Sequence, residues 1–258
     1  MDIYQVDAFN NELFKGNPAA ICPLDSWIAE DLMQQIAAEN NLSETAFFVQ
    51  RDAHFELRWF TPVSEIDLCG HATLATAHII FTELNYAANE ITFSSKSGIL
   101  KVRKNGDWYT LNFPAEPVQP FNHQSDLEAI FKVPVTACYK GKWKLMIRIE
   151  TEADLKRMKP DFYLMQQLEE DGIIVTAKGE SVDFVSRFFV PKLGINEDPV
   201  TGSAHTLLIP YWAKELGKEK LNAIQLSERR GILRCENKGD RVEMSGQAVT
   251  YLKGKLTI

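Results

Sequence analysis

The stretch Cys69-Gly70-His71 places a thiol and an imidazole two residues apart, directly before an apolar segment that runs to Phe81. Glycine at such a point is typical of a helix start, where the first backbone N–H groups are unpaired and carry a partial positive charge. A helix start of this kind binds carboxylates or phosphates without a lysine. The residue types therefore allow four interpretations: a nucleophile, a metal site, a catalytic base or a plain helix start.

Several short segments of the chain occur twice, in the same order. They are LMQQI from Leu32 and LMQQL from Leu164, RWFTP from Arg58 and RFFVP from Arg187, and GILKVRKNGD from Gly98 and GILRCENKGD from Gly231. Repeats in one order predict two copies of one structural unit. We expect an N-terminal lobe over residues 1–115 and a C-terminal lobe over residues 116–258, joined near the proline-rich NFPAEPVQP.

The second copy carries its own helix start, Thr201-Gly202-Ser203, in which Gly202 matches Gly70. Two such starts, one from each lobe, could face one another and hold a small anion between them. Small and polar residues in both loops would let a ligand approach the backbone. The duplication favours a binding site over a plain helix start.

The periodicity of apolar residues predicts an α+β fold. The helix from Gly70 is apolar on every side and must be covered on every side, so strands should wrap it. Ser26 is a candidate N-cap of an amphipathic helix, and TAFFV and FELRWF alternate as strands do. Asn105-Gly106 suits a tight hairpin turn. In the second lobe, Pro210 lies inside the predicted helix and should bend it or remove a hydrogen bond.

The overall composition excludes several classes of protein. The chain has 258 residues, a formal charge of -7 and a pI near 5.4, which disfavours nucleic acid as a partner. The N-terminus lacks the features of a signal peptide and no apolar run would span a bilayer, so we expect a cytoplasmic protein that does not bind membranes, with reduced cysteines. No nucleotide-binding motif occurs, and the five histidines lack partners at ligand spacing, so we expect neither cofactor nor metal.

Four separated motifs, GNPAA, NLSETAFF, FTPVSEIDLCGHATLATA and DPVTGSA, together resemble the phenazine-biosynthesis PhzF-like family over the whole chain. The resemblance implies a fold similar to that of diaminopimelate epimerase and proline racemase. That fold has two pseudo-symmetric lobes, each a β-sheet wrapped around a central buried helix. It also implies an isomerase that acts on a small carboxylic acid without a cofactor, and a homodimer.

Epimerases of this fold use one cysteine from each lobe on opposite faces of a carbon. This sequence has Cys69 in the first lobe, but the repeat places Thr201 opposite it, and a threonine hydroxyl is too weakly acidic to replace a thiolate. The resemblance implies instead that Glu44 is a single acid/base, assisted by His71 and Asp198. The residue that follows Glu44 by as many positions as Gly202 follows Gly70 is Thr176. The second lobe should therefore supply no such carboxylate.

The remaining site residues follow from the same resemblance. Cys69, Gly70, Thr201, Gly202 and Ser203 would bind the substrate, whose carboxylate would lie against backbone N–H groups of the two helix starts. Two alternatives stay open. One is a two-base epimerase or racemase that uses Cys69 together with Glu44, and the other is a non-catalytic protein that binds a small anion.

Overall fold

The computed structural model describes residues 1–122 and 124–258, and the side chains of 124–126 are not described. His123 therefore lies outside the described residues. The helices are α1 Glu30–Asn40, α2 Gly70–Thr82, α3 Gln124–Phe131, α4 Glu152–Arg157, α5 Phe162–Met165 and α6 Gly202–Leu216, with a short 3-10 turn at Pro191–Leu193. Among these described helices, none has both the length and the apolar character that crossing a membrane requires.

The strands alternate with these helices along the chain. They are β1 Asp2–Ala8, β2 Asn17–Leu24, β3 Glu44–Gln50, β4 Phe55–Phe60, β5 Glu65–Ile66, β6 Glu90–Ser95, β7 Gly98–Asn105, β8 Trp108–Pro114, β9 Gln119–Pro120, β10 Val135–Lys140, β11 Lys144–Ile149, β12 Gly172–Lys178, β13 Phe184–Val190, β14 Ile195–Glu197, β15 Lys220–Gln225, β16 Gly231–Asn237, β17 Arg241–Gly246 and β18 Ala248–Lys255. The strands predicted at TAFFV and FELRWF are β3 and β4, and the hairpin predicted at Asn105-Gly106 joins β7 to β8.

The chain forms two compact units, but their limits differ from the predicted 1–115 and 116–258. The first unit comprises residues 1–112 together with 244–258, and the second comprises residues 113–243. The end of the chain belongs to the first unit because β18 pairs antiparallel with β1 along the whole of that strand. The sequence repeat does not contain this return, since the matching segments end before residue 244.

In the first unit, strands surround α2. β18, β1 and β2 pair antiparallel, β2 and β3 parallel, β3 and β4 antiparallel, β4 and β6 parallel, and β6, β7 and β8 antiparallel. Every side chain of α2 from His71 to Phe81 is buried. This confirms the prediction that a helix apolar on every side is covered on every side. His78 is a core histidine: it contacts the Tyr109 hydroxyl at 2.9 Å and Thr250 Oγ1 at 3.0 Å, and burial lowers its pKa to about 4.

The helix α1 starts later than its sequence signals predict. Ser26 is not its N-cap; Ala29 occupies that position, and Glu30 and Asp31 form the first turn, where acidic side chains favour the helix dipole. In the intervening segment, the indole N–H of Trp27 donates to Glu56 at 2.7 Å. The prediction of an amphipathic helix is confirmed, and its start was wrong by one turn.

The second unit repeats the pairing order of the first. β11 and β12 are parallel, β12 and β13 antiparallel, β13 and β15 parallel, and β15 and β16 antiparallel. This is the sequence of pairings found from β2 to β7, so the duplication read from the sequence is also a duplication of topology. The helix α6 takes the place of α2, and its apolar side chains, including Leu207, Leu208, Ile209 and Trp212, are buried.

Pro210 lies inside α6 and is accommodated without ending the helix. A proline at this position cannot donate to the carbonyl four residues earlier, which belongs to Thr206. That carbonyl instead accepts a hydrogen bond from the backbone N–H of Glu116 at 3.1 Å. The predicted loss of a helical hydrogen bond is therefore compensated by the strand-like segment that passes the helix.

A prediction about stability follows from Gly16, which has φ +67° and leaves only 2.1 Å between an added Cβ and the Ala8 carbonyl oxygen. Gly98 has φ +95° with nothing within 4 Å of an added Cβ, so Gly98→Ala is the matched control. Positive φ alone should cost about 1–2 kcal/mol in either variant. Because of the clash, Gly16→Ala should lower the free energy of unfolding, measured in urea, by more than about 3 kcal/mol. Equal losses in the two variants would contradict the role of the close approach.

Candidate active site

Three polar side chains that are far apart in sequence meet in the first unit. Glu44 is the first residue of β3, Cys69 is the N-cap of α2, and His71 is the second residue of that helix. Glu44 Oε2 lies 2.9 Å from His71 Nε2, and Cys69 Sγ lies 3.5 Å from His71 Nδ1. One donor atom of each residue lies within 4.8 Å of the others. The structure therefore brings together three of the predicted site residues.

The Glu44–His71 contact is close, but it does not satisfy either group. Both Oε2 and Nε2 are buried, and neither has a hydrogen-bond partner of good geometry among the described residues. A buried polar group without a partner costs about 1–3 kcal/mol. Polar atoms in this state mark a point at which a ligand would gain hydrogen bonds, and these two atoms face it together.

Charges and burial set the protonation of the neighbouring groups. Burial raises the pKa of the Cys69 thiol, and the nearby Glu44 charge adds to the shift, so the sulfur keeps its proton at neutral pH. For His71, burial acts against the imidazolium, whereas negative charge on Cys69 and Glu44 acts for it and raises the pKa of the ring. Because Cys69 carries that charge only as a thiolate, Glu44 is the neighbour that favours the imidazolium at neutral pH.

The start of α2 has no side-chain cap. Cys69 has extended backbone geometry and its side chain makes no capping hydrogen bond to the first turn. Its own carbonyl accepts a 2.5 Å hydrogen bond from Thr73 Oγ1, which ties the loop to the helix. The N–H groups of Gly70 and His71 in the first turn have no i−4 carbonyl within the helix and carry the positive end of its dipole.

Asn17 belongs to this cluster and was not predicted. Its amide Nδ2 lies 3.2 Å from His71 Nδ1, and the side chain is fully buried. The signal was present in the GNPAA motif, which served to recognise the family but was given no role. Spacing alone could not reveal the contact, because Asn17 and His71 lie on different elements.

The cluster also bears on the expectation that the chain has no metal. Glu44, Cys69 and His71 offer oxygen, sulfur and nitrogen donors close enough to hold one ion. The sequence did not predict this set, because only residues close together along the chain were compared as ligands. A metal bound to the ring would compete with Asn17 at Nδ1 or with Glu44 at Nε2. The absence of a metal stays a prediction.

In the second unit, the loop before α6 is held by a buried glutamine. Gln225 is fully buried; its Oε1 accepts from the Thr201 backbone N–H at 2.9 Å, and its Nε2 donates to the Asp198 carbonyl at 2.7 Å. The Thr201 hydroxyl donates to the Asp198 carboxylate. The predicted residues Asp198 and Thr201 are thus brought together, and Gln225, which clamps them, was not predicted.

The first turn of α6 contains Gly202 and Ser203, as predicted, and is held from below by a buried cation. Lys144 Nζ donates to the Ser203 carbonyl at 2.8 Å and lies 3.2 Å from the Glu116 carboxylate. Burial lowers the pKa of Lys144, and the Glu116 charge opposes that shift. The prediction that these residues face those of the first unit stays a prediction.

Comparison with known proteins gives the family. The profile described as Phenazine biosynthesis-like protein matches residues 6–254. The chain belongs to this family. An uncharacterized isomerase of Pseudomonas aeruginosa is 46% identical over 99% of this chain and 98% of its own length. The crystal structure of a PhzF-family phenazine biosynthesis protein of Enterococcus faecalis is similar, with 47% identity, a TM-score of 0.98 and coverage of 100% of this chain and 99% of that one.

The relation to epimerases lies in the fold. A hydroxyproline epimerase from Agrobacterium vitis has a TM-score of 0.61 at 8% identity, over 98% of this chain and 91% of that chain. The predicted diaminopimelate-epimerase-like fold is therefore confirmed, and the prediction of a PhzF-like isomerase is confirmed at the level of the family.

The strand register corrects the match of Glu44 with Thr176, from which we predicted that the second lobe has no equivalent carboxylate. Phe47 pairs with Arg58 in the first unit, and Val175 pairs with Arg187 in the second. Counting back three residues from Phe47 and from Val175 makes Gly172, not Thr176, the structural counterpart of Glu44. The offset changes because α5 has four residues where α1 has 11.

Gly172 has no room for a side chain. An added Cβ would lie 2.7 Å from the Trp143 ring and 2.8 Å from the Phe188 ring. Two aromatic rings therefore fill the position that Glu44 has in the first unit. The conclusion that the second unit lacks a matching carboxylate stands, with a different residue as its reason.

His205, in α6 of this family member, gives a prediction about pH. Its Nδ1 lies 2.8 Å from the Thr201 carbonyl, and burial lowers its pKa to about 4. The unfolded chain, with a pKa of about 6.5, binds the proton first, so stability is complete above that value and falls by up to about 3 kcal/mol as the pH drops to 4. Urea unfolding of His205→Leu should depend less on pH over this range than that of the wild type. Parallel pH dependences would count against the assignment.

Proposed function

We propose that the chain is an isomerase that moves one proton between two carbons of a small carboxylic acid, with Glu44 as the sole acid/base. The Glu44 carboxylate would take a proton from a carbon next to an electron-withdrawing group, and an electron pair would shift along the substrate. The same carboxyl group would then return the proton to a second carbon on the same face. Because one carboxyl group both takes up a proton and supplies one, no cofactor is needed. Exchange of the Glu44 proton with solvent between the two steps would place deuterium on carbon in D2O.

The observation that supports this most directly is the pair formed by Glu44 Oε2 and His71 Nε2, which lie 2.9 Å apart without hydrogen-bond partners among the described residues. A base must reach the proton that it removes, and an acid must lie beside the atom that gains charge. A substrate that contacts both atoms would meet a proton acceptor and a proton donor at one point. His71 would stabilise the charge that develops as Glu44 removes the proton.

Distance disfavours the two-base alternative. Two bases that act on opposite faces of one carbon each stand about 3–3.5 Å from it, which separates them by about 6–7 Å. The donor atoms of Cys69 and Glu44 lie within 4.8 Å of one another. That leaves too little room for a carbon between them, and burial also keeps the Cys69 thiol protonated. We assign Cys69 to the wall of the site.

The two helix starts supply the binding part of the proposal. Unpaired N–H groups at Gly70 and His71 would hold one anionic group of the substrate. Ser203 and Gly202 offer the same chemistry in the second unit, with Asp198 as an acceptor for a hydroxyl or amine. A small acid is the ligand that this set would recognise, and the identity of the acid is left to experiment.

The base is tested by Glu44→Gln, with Glu39→Gln on the exposed side of α1 as the control. Wild-type protein and both variants would be incubated in D2O with a panel of small cyclic and amino carboxylic acids. Carbon-bound deuterium, measured by mass spectrometry, should form with the wild type and Glu39→Gln. It should fall about 10²- to 10⁴-fold with Glu44→Gln. Exchange that persists in Glu44→Gln would show that another group is the base.

The same assay separates the isomerase from the alternatives through Cys69. Cys69→Ala and Cys69→Ser should keep exchange within about tenfold of the wild type, since the thiol takes no part in proton transfer under the proposal. Loss of exchange in both variants, with Glu44 intact and thermal unfolding unchanged, would favour the two-base epimerase. Binding of an acid by the wild type in calorimetry, with no deuterium incorporated, would favour the non-catalytic anion-binding protein.

A further inference from the structure

The contact between Asn17 and His71 determines which ring nitrogen carries the proton. Asn17 Nδ2 lies 3.2 Å from His71 Nδ1, and an amide NH2 can only donate. In a neutral imidazole one nitrogen accepts and the other holds the proton. Nδ1 must therefore be the acceptor, and the proton lies on Nε2, the atom beside Glu44.

The other neighbour of Nδ1 acts in the same direction. Cys69 Sγ lies 3.5 Å from this nitrogen and keeps its proton, so the thiol can donate that proton weakly toward the ring. A proton on Nδ1 would face the amide hydrogens of Asn17 and the thiol hydrogen of Cys69. Both contacts therefore favour the neutral tautomer with Nε2–H over the one with Nδ1–H.

The backbone around Asn17 holds the side chain in this place. Gly16 has φ +67° and approaches the Ala8 carbonyl so closely that no Cβ would fit. Pro18 restricts the residue before it to extended geometry, and Asn17 begins β2 opposite Ala8. The three residues of the GNP sequence thus have separate tasks: the glycine makes the turn, the proline fixes the extension, and the asparagine reaches His71.

We propose that Asn17 is a positioning residue that keeps the His71 proton on Nε2, where it serves the substrate beside Glu44. The functional part of this inference rests on the proposed isomerase activity, whereas the tautomer itself does not. Asn17 does not touch the reacting atoms in this account. Its effect on the reaction passes through the imidazole alone.

The tautomer is measured by NMR of protein labelled with ¹⁵N-histidine, since an unprotonated ring nitrogen resonates far downfield of a protonated one. Signals of His71 would be assigned by their loss in His71→Gln. The tautomer is read in the wild type at a pH above the pKa of His71, which the Glu44 charge raises; there Nδ1 should appear unprotonated and Nε2 protonated. A neutral ring with its proton on Nδ1 would overturn the proposal without any variant.

Asn17→Asp replaces the donor with an acceptor of the same shape and should move a proton onto Nδ1. Asn11→Asp, at an exposed position on the same loop, adds the same charge without this contact and should leave the spectrum of His71 unchanged. If Asn17→Asp does not fold, Asn17→Ala, which removes the donor, should give a mixture of tautomers. An unchanged His71 spectrum in a folded Asn17 variant would overturn the proposal.

The consequence for the reaction is read in the deuterium-exchange assay. Asn17→Asp should lower kcat about 10- to 100-fold, the loss typical of removing a hydrogen-bond partner of a functional histidine, with little change in KM. A loss confined to KM would indicate a purely structural role and contradict the proposal. If the wild type shows the expected tautomer but exchanges no substrate proton, the proposed function fails while the assignment of the tautomer stands.

Discussion

A helix that is apolar on every side has to be enclosed along its whole length, and the first unit of this protein is built to meet that requirement. In the first unit the enclosed segment runs from His71 to Phe81, and strands from both ends of the chain cover it. The enclosed helix begins at its first turn, which a loop connects to the preceding strand. Polar backbone groups and functional side chains can meet there at little cost to the core.

The two copies share a backbone and differ in chemistry. At the start of one strand the first copy has Glu44 and the second has Gly172, whose surroundings are filled by Trp143 and Phe188. Each unit has its own helix start. The start of α2 carries a cluster of ionisable groups, and the loop before α6 is clamped by Gln225. A single acid/base is consistent with this divergence, since a symmetric pair would require the same residue twice.

Much of the fold could be predicted because the features that define it are local: apolar residues repeat with helical or strand periods, and motifs occur twice in order. The site was predicted in part, since Glu44 and His71 belong to motifs of the family. Asn17 and Gln225 were missed because their importance lies in contacts with residues far along the chain. The counterpart of Glu44 was misassigned because a constant offset ignores the short α5, and only strand register reveals the shift.

The return of residues 244–258 to the first unit has a consequence for the order of folding. Residues 113–243 form an uninterrupted stretch, so this half can fold as soon as it leaves the ribosome. The other half must wait for the last strand, because β1 pairs along its length with β18. The half that is translated first is therefore completed last, and until then its β1 edge stays unpaired and exposed to chaperones or to a neighbouring nascent chain.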